Sequence, residues 1–487
     1  MQKLLPAFIC VFLIGIFSFP VYSHSHELRL NQHQYFEMPG LNVMVFHDYY
    51  PEGHQGGVGI IQNGKRIATN GDLRLGPTPG QWQPLPKMDE KKVFDEDQRI
   101  AVNLHYPDSS RHRSGFNPMI YPDLNIDYQV EVQAEGRAFR IRVHLDEPLP
   151  EKWTGKVSFN LELFPGLLFG KSYYMDGERG HFPIQANGPF IKKQDELHIK
   201  PMATGKKLAI APGSDERRMN IESLHGELQL IDGRGKHNNG WFVVRSAVEA
   251  GATQNAVEWL VTPHTLPNWM YKPLVHISQL GYHPRQEKTA VIETDVRDQS
   301  IDSLKVYRLA PDGQHTVVSE GLPKVWGEFL RYRYLQYDFS EVTEPGMYKI
   351  SYGNDRTHAF EISHDIYKRG AWQPTLEYYL PVQMCHMRVS EKYRVWHGLC
   401  HMDDALAAPE NVNHFDGYHQ SIPLPEGVEP LSHLKGMNTG GWHDAGDYDL
   451  RVESQAGTVL RLALAYELFG LAYDQTLVDQ EKRIAEI

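Results

Sequence analysis

The sequence predicts a multidomain fold with an all-β domain first, a smaller β-sandwich next, and a C-terminal region in which helices replace strands. The length of 487 residues is a soft prior for about three domains, and 41% of the residues are hydrophobic, which is enough to fill several cores. Apolar and polar residues alternate with the period of a strand up to about residue 363. Beyond that point the apolar residues recur with the period of a helix.

Residues 24–268 show strand signals throughout and predict the all-β domain. The clearest signal is a hairpin, in which every second residue of 128–132 and 139–145 is apolar and Glu135-Gly136 forms the turn. A further strand is predicted over 157–163. Other turns are predicted at Asn63-Gly64, Asn70-Gly71 and Asp176-Gly177. Many short strands joined by tight turns are typical of a β-sandwich.

A second boundary is predicted near residues 267–273, where prolines interrupt the strands. Residues 273–363 carry about seven strand signals, the number expected for an immunoglobulin-like sandwich. Residues 365–487 are predicted to be helical, with Asp365 as a cap. The clearest helix begins near Val452 and stops at Gly470, and a last helix is predicted over 475–487.

The first 23 residues have the pattern of a secretory signal peptide, because Lys3 precedes an apolar run that is followed by small residues. The run is short for a membrane span and no later stretch is long enough, so no membrane span is expected after cleavage. We therefore expect a secreted or periplasmic protein. The net charge of −12 disfavours nucleic acid as a partner.

Two cysteines, Cys385 and Cys400, remain after the predicted cleavage, so the chain is no disulfide scaffold. A histidine follows each of them, and this set of residue types suits a structural zinc ion with Cys385, Cys400 and His401 as ligands. The spacing is not that of a standard zinc finger. A disulfide and a pair of buried thiols remain open alternatives.

Catalytic chemistry is most strongly indicated by the motif of residues 440–448, Gly-Gly-Trp-His-Asp-Ala-Gly-Asp-Tyr. Side chains three residues apart share one face of a helical turn, so Asp444 and Asp447 can point into one site. Crowding raises the pKa of one carboxyl group toward that of a general base, while the other stays charged and orients water.

The aromatic residues of the motif suggest a sugar ligand. Trp442 and Tyr448 offer flat faces to a sugar ring, and His443, beside Asp444, is a third candidate for substrate contact. A turn that caps the next helix and a loop that binds calcium are the alternative interpretations.

The motif closely resembles the signature of glycoside hydrolase family nine, the inverting endoglucanases and related β-glucan hydrolases. A second segment, residues 394–405, is similar to the family's Trp, Cys-His and Asp-Ala segment. The Gln-Leu-Gly-Tyr element at 279–282 resembles the opening of the immunoglobulin-like module that precedes many catalytic domains of the family. The two catalytic-domain matches occur in the family's order.

The resemblance implies a secreted enzyme of endo-β-1,4-glucanase or cellulase type, which cleaves cellulose or related β-glucans with inversion. Asp447 matches the base that activates water, and Asp444 matches the residue that helps to hold that water. The expected partner is a β-glucan polysaccharide or oligosaccharide. No cofactor is required for this chemistry, and zinc or calcium is expected only in a structural role; some family members bind zinc near the cysteine pair.

The resemblance also implies that residues 365–487 form the first part of an (α/α)6 barrel. The family's catalytic acid is a Glu near the far end of that barrel, and no position of this chain matches it. The catalytic domain is therefore expected to be incomplete and the acid to lie beyond Ile487. The alternative function is a non-catalytic carbohydrate-binding or adhesion protein with a degenerate helical tail.

Overall fold

The computed structural model describes residues 27–47, 56–76, 84, 86–112, 120–121, 123–186, 188–193, 196–235, 240–368, 370–371, 385–386, 389–391, 394–397, 399–407, 414–415, 418–419, 424–444, 450, 452–470, 473–478 and 483–486. The predicted signal peptide lies outside these residues, as do Asp447 and Tyr448 of the motif. The chain divides into two compact units, of which the first reaches Trp269 and the second begins at Met270.

Two nine-stranded antiparallel sheets form the first unit. Sheet A has, in spatial order, the strands Arg29–Leu30, Phe36–Met38, Leu41–Val45, Val58–Gln62, Lys65–Leu75, Val157–Leu163, Phe242–Ala247, Leu228–Asp232 and Ala203–Gly205. Sheet B has the strands Glu178–His181, Ser172–Met175, Lys207–Ile210, Met219–Ser223, Val257–Pro263, Ala138–Leu145, Ile126–Glu135, Arg99–Tyr106 and Lys87–Phe94. The remaining elements are a ladder of Phe190–Lys193 with Glu196–Ile199 and the 3-10 helices Ser109–Arg111, Glu151–Trp153, Pro165–Leu167 and Gly233–Gly235.

The core between the two sheets confirms the strand predictions for this unit. The strand Ile126–Glu135 pairs with Ala138–Leu145 across the predicted turn, and Val157–Leu163 forms as expected. Phe159 of sheet A packs edge-on against Trp259 of sheet B, with ring centroids 5.0 Å apart. Because alternate residues of these strands are apolar, each sheet buries one face in a single shared core.

The predicted turn at Asn70-Gly71 is wrong, because both residues lie inside the strand Lys65–Leu75. Asn70 has a φ of 55°, and the register with the strand Val157–Leu163 shifts between Asn160 and Glu162. These features describe a β-bulge, which uses the same residue types as a tight turn. The turns at Asn63-Gly64 and Asp176-Gly177 do join neighbouring strands, as predicted.

Three charged residues are buried on sheet A next to this bulge. Asp72 is 3% exposed and accepts a hydrogen bond from the Tyr128 hydroxyl at 2.9 Å, while Arg74 lies 3.6 Å from its other oxygen. Burial raises the pKa of Asp72 to about 6, although Arg74 and the hydrogen bonds act in the opposite direction. Burial also raises the pKa of the neighbouring Glu162.

The raised pKa of Asp72 predicts a loss of stability as the pH rises. The folded state holds this proton more tightly than the unfolded state, so the loss occurs between about pH 4 and pH 6 and amounts to about 3 kcal/mol. The variant Asp72→Asn cannot titrate and should lack this component. Urea unfolding of both proteins at about pH 4 and about pH 7 measures it. The exposed-site control Asp215→Asn should follow the parent, and parallel pH profiles for the parent and Asp72→Asn would contradict the prediction.

The second unit contains the predicted immunoglobulin-like sandwich. Its four-stranded sheet has the order Leu274–His276, Thr289–Asp295, Tyr332–Asp338 and Lys324–Phe329. Its five-stranded sheet has the order His315–Gly321, Leu304–Leu309, Gly346–Tyr352 and Asp355–Arg356, with Phe360–Ile362 also paired to Gly346–Tyr352. A separate core lies between these two sheets.

The Gln-Leu-Gly-Tyr element joins the beginning of this sandwich to its end. The Tyr282 N–H donates to the Glu361 carbonyl at 2.9 Å, and the Tyr282 carbonyl accepts from the Ser363 N–H at 3.0 Å. Gly281 has a φ of 101°, and a Cβ at this position would collide with the carbonyl oxygen of Glu361. The glycine is therefore required by the close approach of two backbone segments.

We expect Gly281→Ala to destabilise this sandwich by about 2 to 4 kcal/mol, because backbone strain and overpacking act together. The matched control is Gly313→Ala, which has a φ of 83° but nothing within 4 Å of an added Cβ. The control should show only the strain component. Thermal unfolding followed by near-ultraviolet circular dichroism measures both variants, and equal losses would contradict a steric role for Gly281.

The C-terminal part of the second unit agrees only partly with the helical prediction. The helix Val452–Phe469 forms, and Gly470, with a φ of 64°, ends it by donating its N–H to the Tyr466 carbonyl at 2.9 Å. Ladders of two strands also occur here, namely Val389–Glu391 with Arg394–His397, His414–Phe415 with Tyr418–His419, and Tyr473–Val478 with Arg483–Glu486. In the described part of the chain, no helix is both long and apolar enough to cross a membrane.

The helix predicted over 475–487 is wrong where the structure describes it, because 473–478 and 483–486 are strands. The β-branched Thr476 and Val478 favour a strand. Asp365 lies in a turn, and most of the helix predicted after it falls outside the described residues. The start of an (α/α)6 barrel is thus not shown.

Candidate functional site

Two cysteines and two histidines meet in the second unit. The Sγ atoms of Cys385 and Cys400 lie 3.4 Å apart and are not bonded to one another. His401 Nδ1 is 3.2 Å from Cys385 Sγ, and His443 Nε2 is 3.4 Å from Cys400 Sγ. All four potential ligand atoms lie within 4.8 Å of one another. We call this set the Cys–His cluster.

The geometry of the Cys–His cluster fits a tetrahedral zinc site. Ligands at about 2.3 Å for sulfur and about 2.0 Å for nitrogen place two sulfurs about 3.8 Å apart, and sulfur about 3.5 Å from nitrogen. The observed separations of 3.2 to 3.4 Å are close to these values. Burial, with the neighbouring Cys400, raises the pKa of the Cys385 thiol to about 12 in the absence of a cation. A cation that binds as a Lewis acid must displace that proton.

The backbone around the Cys–His cluster connects it to the Gly-Gly-Trp-His-Asp motif. The Cys385 N–H donates to the Gly441 carbonyl at 2.9 Å. His386 and His401, the residues after the two cysteines, have φ values of 55° and 52°. A left-handed conformation is uncommon for histidine, so its repetition directly after each cysteine indicates that the surrounding contacts impose it.

His386 joins three segments of the chain through hydrogen bonds. His386 Nδ1 lies 2.9 Å from the Gly440 carbonyl oxygen, and its Nε2 lies 2.9 Å from the His401 carbonyl oxygen and 3.0 Å from Asp404 Oδ1. All three partners are acceptors, so both ring nitrogens donate and the imidazolium form satisfies every contact. Burial opposes this charge, but the hydrogen bonds to Gly440 and Asp404 outweigh it and raise the pKa of His386.

The start of the motif is also attached to the helix Val452–Phe469. Gln455 accepts a hydrogen bond from the Trp442 N–H at 3.0 Å and donates another to the Trp442 carbonyl. The Ser454 hydroxyl lies 3.4 Å from Asp444 Oδ2. Asp444 therefore lies beside the first turn of a helix, where the backbone dipole stabilises a negative charge.

The structure brings most of the predicted site residues together. Cys385, Cys400 and His401, the predicted zinc ligands, lie together with His443, whose neighbours in sequence are Trp442 and Asp444. His443 was predicted to contact substrate, but it is 2% exposed and points at Cys400, which fits a fourth metal ligand better. The sequence did not predict this contact because His443 lies 43 residues after Cys400, although His443 was already a candidate site residue as part of the motif.

Comparison with known proteins finds relatives that each match part of the chain. Residues 271–357 match the family described as the cellulase N-terminal ig-like domain. The chain is 27% identical over 207 residues to Endoglucanase D of Acetivibrio thermocellus, which covers 42% of this chain and 28% of that protein. It is 27% identical over 215 residues to a xyloglucan-specific endo-beta-1,4-glucanase of Bacteroides ovatus, which covers 43% and 32%. It is also 32% identical over 154 residues to a cellodextrinase of Butyrivibrio fibrisolvens, which covers 31% and 23%.

Solved structures give similar partial matches. A metagenome-derived glycoside hydrolase family 9 endoglucanase is 28% identical with a TM-score of 0.33, over 41% of this chain and 35% of that one. A Zn-binding triple mutant of the family 9 endoglucanase J30 is 24% identical with a TM-score of 0.30, over 39% and 32%. The chain spans less than a third of the length of the curated relatives described above.

Proposed function

We propose that this chain contributes the catalytic base and the water-holding carboxylate of a β-glucan hydrolase active site. The chain is related to the family nine glycoside hydrolases that carry an N-terminal immunoglobulin-like domain. The supporting observation is the attachment of the motif to the helix Val452–Phe469. Gln455 holds Trp442, and Ser454 lies beside Asp444. A carboxylate that orients water needs a defined position, and these contacts place the motif beside the start of the helix.

In the proposed reaction, Asp447 removes a proton from a water molecule while Asp444 keeps that water in line with the anomeric carbon. The water oxygen forms the new bond on the face opposite to the departing glycosidic oxygen, so the configuration at the anomeric carbon inverts. A separate carboxylic acid must protonate the leaving oxygen. Trp442 and Tyr448 are proposed to stack on the sugar next to the cleaved bond.

The hydrolase activity is proposed for the whole protein, and this chain spans less than a third of the length of its curated relatives. Release of reducing ends from soluble cellulose derivatives, xyloglucan and mixed-linkage β-glucan tests the proposal. Hydrolysis of at least one β-1,4-glucan supports it and identifies the substrate. Binding of these glucans without any hydrolysis would instead favour the carbohydrate-binding alternative.

We further propose that the Cys–His cluster holds a structural zinc ion. Cys385, Cys400, His401 and His443 would be the ligands, and their two thiolates and two imidazoles match the Cys₂His₂ type of closed zinc site. Such an ion supplies no reactive group; it cross-links the segments that carry the ligands. His443 directly precedes Asp444, so the cross-link would also fix the position of the water-holding carboxylate.

Export is part of the same proposal. A polysaccharide substrate cannot enter a cell, and residues 1–23 have the charged, apolar and small-residue regions of a signal peptide. N-terminal sequencing of protein recovered from the culture medium or periplasm should begin close to residue 24. Recovery of the protein in the cytoplasm with Met1 retained would oppose export.

A further inference from the structure

A polar cleft of about 840 Å³ lies on the outer face of sheet B in the first unit, far along the sequence from the catalytic motif. Its floor comes from the strands Arg99–Tyr106, Ile126–Glu135 and Ala138–Leu145. The floor residues Asn103, Gln129 and His144 alternate with core residues, so they face away from the hydrophobic interior. The volume is within the range of known ligand sites.

The floor is a straight row of polar side chains. Asn103 pairs directly with Gln129, and Gln129 pairs directly with His144, on three neighbouring strands. The Gln129 amide donates to Asn103 Oδ1 at 2.8 Å, which fixes the orientation of both amides. All three side chains are half-buried, whereas the rim residues are exposed: Asp89, Glu90, Asp127, Asp146 and Gln254. The cleft is thus open to solvent above a preorganised set of donors and acceptors.

His144 has a defined proton position in this row. The backbone N–H of Asn255 donates to His144 Nδ1 at 3.1 Å, so Nδ1 accepts and the proton of the neutral ring lies on Nε2. Burial lowers the pKa of His144 and favours the neutral ring at neutral pH. The His144 ring also hydrogen-bonds the side chain of Gln254, another lining residue, so this contact extends the row of fixed polar groups.

Several carboxylates around the cleft contact basic side chains. Pairs occur between Asp89 and Lys87 at 3.4 Å, Glu90 and Lys92 at 2.9 Å, Asp127 and His105 at 2.7 Å, and Glu131 and both Arg99 and Arg142 at 2.7 Å. The lining carries five carboxylates and one arginine, so it does not favour anions. It does offer many acceptors to hydroxyl groups.

We propose that this cleft binds an uncharged saccharide. Fixed amides and carboxylate oxygens are groups that hydrogen-bond vicinal hydroxyls and need no ionic contact. The acidic rim repels polyanionic chains such as polygalacturonate. The inference rests on the cleft alone and does not depend on the hydrolase assignment, because the catalytic motif lies in the other unit.

Affinity electrophoresis and calorimetric titration of the full chain test the inference, with xyloglucan and mixed-linkage β-glucan as neutral probes and polygalacturonate as the anionic probe. We expect retardation by a neutral glucan and none by polygalacturonate. Gln129→Ala should weaken binding about fivefold, since a lost hydrogen bond contributes about 1 kcal/mol. Gln129→Glu keeps the size of the side chain and should also weaken binding.

Two further variants localise the effect. The matched control is Gln229→Ala, which removes a half-buried amide from the outer face of sheet A, where it accepts from Arg245 at 3.0 Å. Its glucan affinity should equal that of the parent. A Trp442→Ala background removes the proposed stacking residue of the catalytic motif and should leave binding at the cleft intact. Affinity that survives both Gln129 substitutions in folded protein, affinity lost in Trp442→Ala, or absence of binding to every neutral probe would overturn the inference.

Discussion

Replacement of Asp447 by asparagine is expected to lower the rate of β-glucan hydrolysis by the complete gene product at least about a hundredfold. Asparagine has nearly the shape of aspartate but cannot accept the proton of the attacking water. Glucan binding should persist, because the sugar contacts proposed for Trp442 and Tyr448 remain. The expected signature is therefore a fall in kcat with little change in KM.

The control for this substitution is Asp403→Asn, which removes an exposed carboxylate from the second matched segment without touching the motif. It should retain the parent rate within about twofold, as expected for a surface change. Initial rates of reducing-end release over a range of glucan concentrations measure both variants. Undiminished turnover by Asp447→Asn would remove Asp447 from the reaction.

The second large effect is expected at the Cys–His cluster. Protein purified without chelator should contain about one zinc ion per chain, and Cys400→Ser should lower that content severalfold because thiolate is a far better zinc ligand than hydroxyl. Loss of the metal removes several kcal/mol of folding free energy from the surrounding segments. Elemental analysis and thermal unfolding, each with and without a strong chelator, measure the two consequences.

The control here is His433→Ala, an exposed histidine outside the Cys–His cluster. It should retain full zinc content and an unchanged response to chelator. The disulfide alternative predicts a different result, namely no zinc and a mass two hydrogens lower than that of the dithiol protein. That result would contradict the metal site directly.

Local patterns in the sequence were sufficient for individual strands and turns. The hairpin around Gly136 and the helix stop at Gly470 follow from alternation, period and glycine conformation, which depend on neighbours in sequence. The order of nine strands in each sheet depends on pairing between distant segments, such as Val157–Leu163 with Phe242–Ala247. No local pattern encodes that pairing, so the sequence predicts a sandwich but not the order of its strands.

Errors arose where one pattern serves two structures. Asn70-Gly71 has the composition of a tight turn, but pairing on both sides converts it into a bulge within a strand. Residues 475–487 mix apolar and charged residues in a way that suits an amphipathic helix, yet helices gain most of their stability from a neighbour that covers the apolar face. The β-branched Thr476 and Val478 favour the strand over the helix.

The proposed metal ligands also depend on contacts between residues that are distant in sequence. Sequence reasoning found three of the four members of the Cys–His cluster, because Cys385, Cys400 and His401 share a repeated Cys-His dipeptide. His443 and the hydrogen bonds of His386 come from contacts across more than 40 residues of sequence. Those contacts tie the proposed zinc ligands to the proposed catalytic loop, a link that the motif alone did not reveal.

The configuration of the first product tests the central claim most directly. Proton NMR during hydrolysis of a soluble β-glucan by the complete gene product resolves the anomeric signals before mutarotation mixes them. The account predicts that the α-anomer appears first, because water activated by Asp447 attacks opposite the departing β-linked oxygen. Initial appearance of the β-anomer would demonstrate retention and contradict the assignment of Asp447 as the base of an inverting hydrolase.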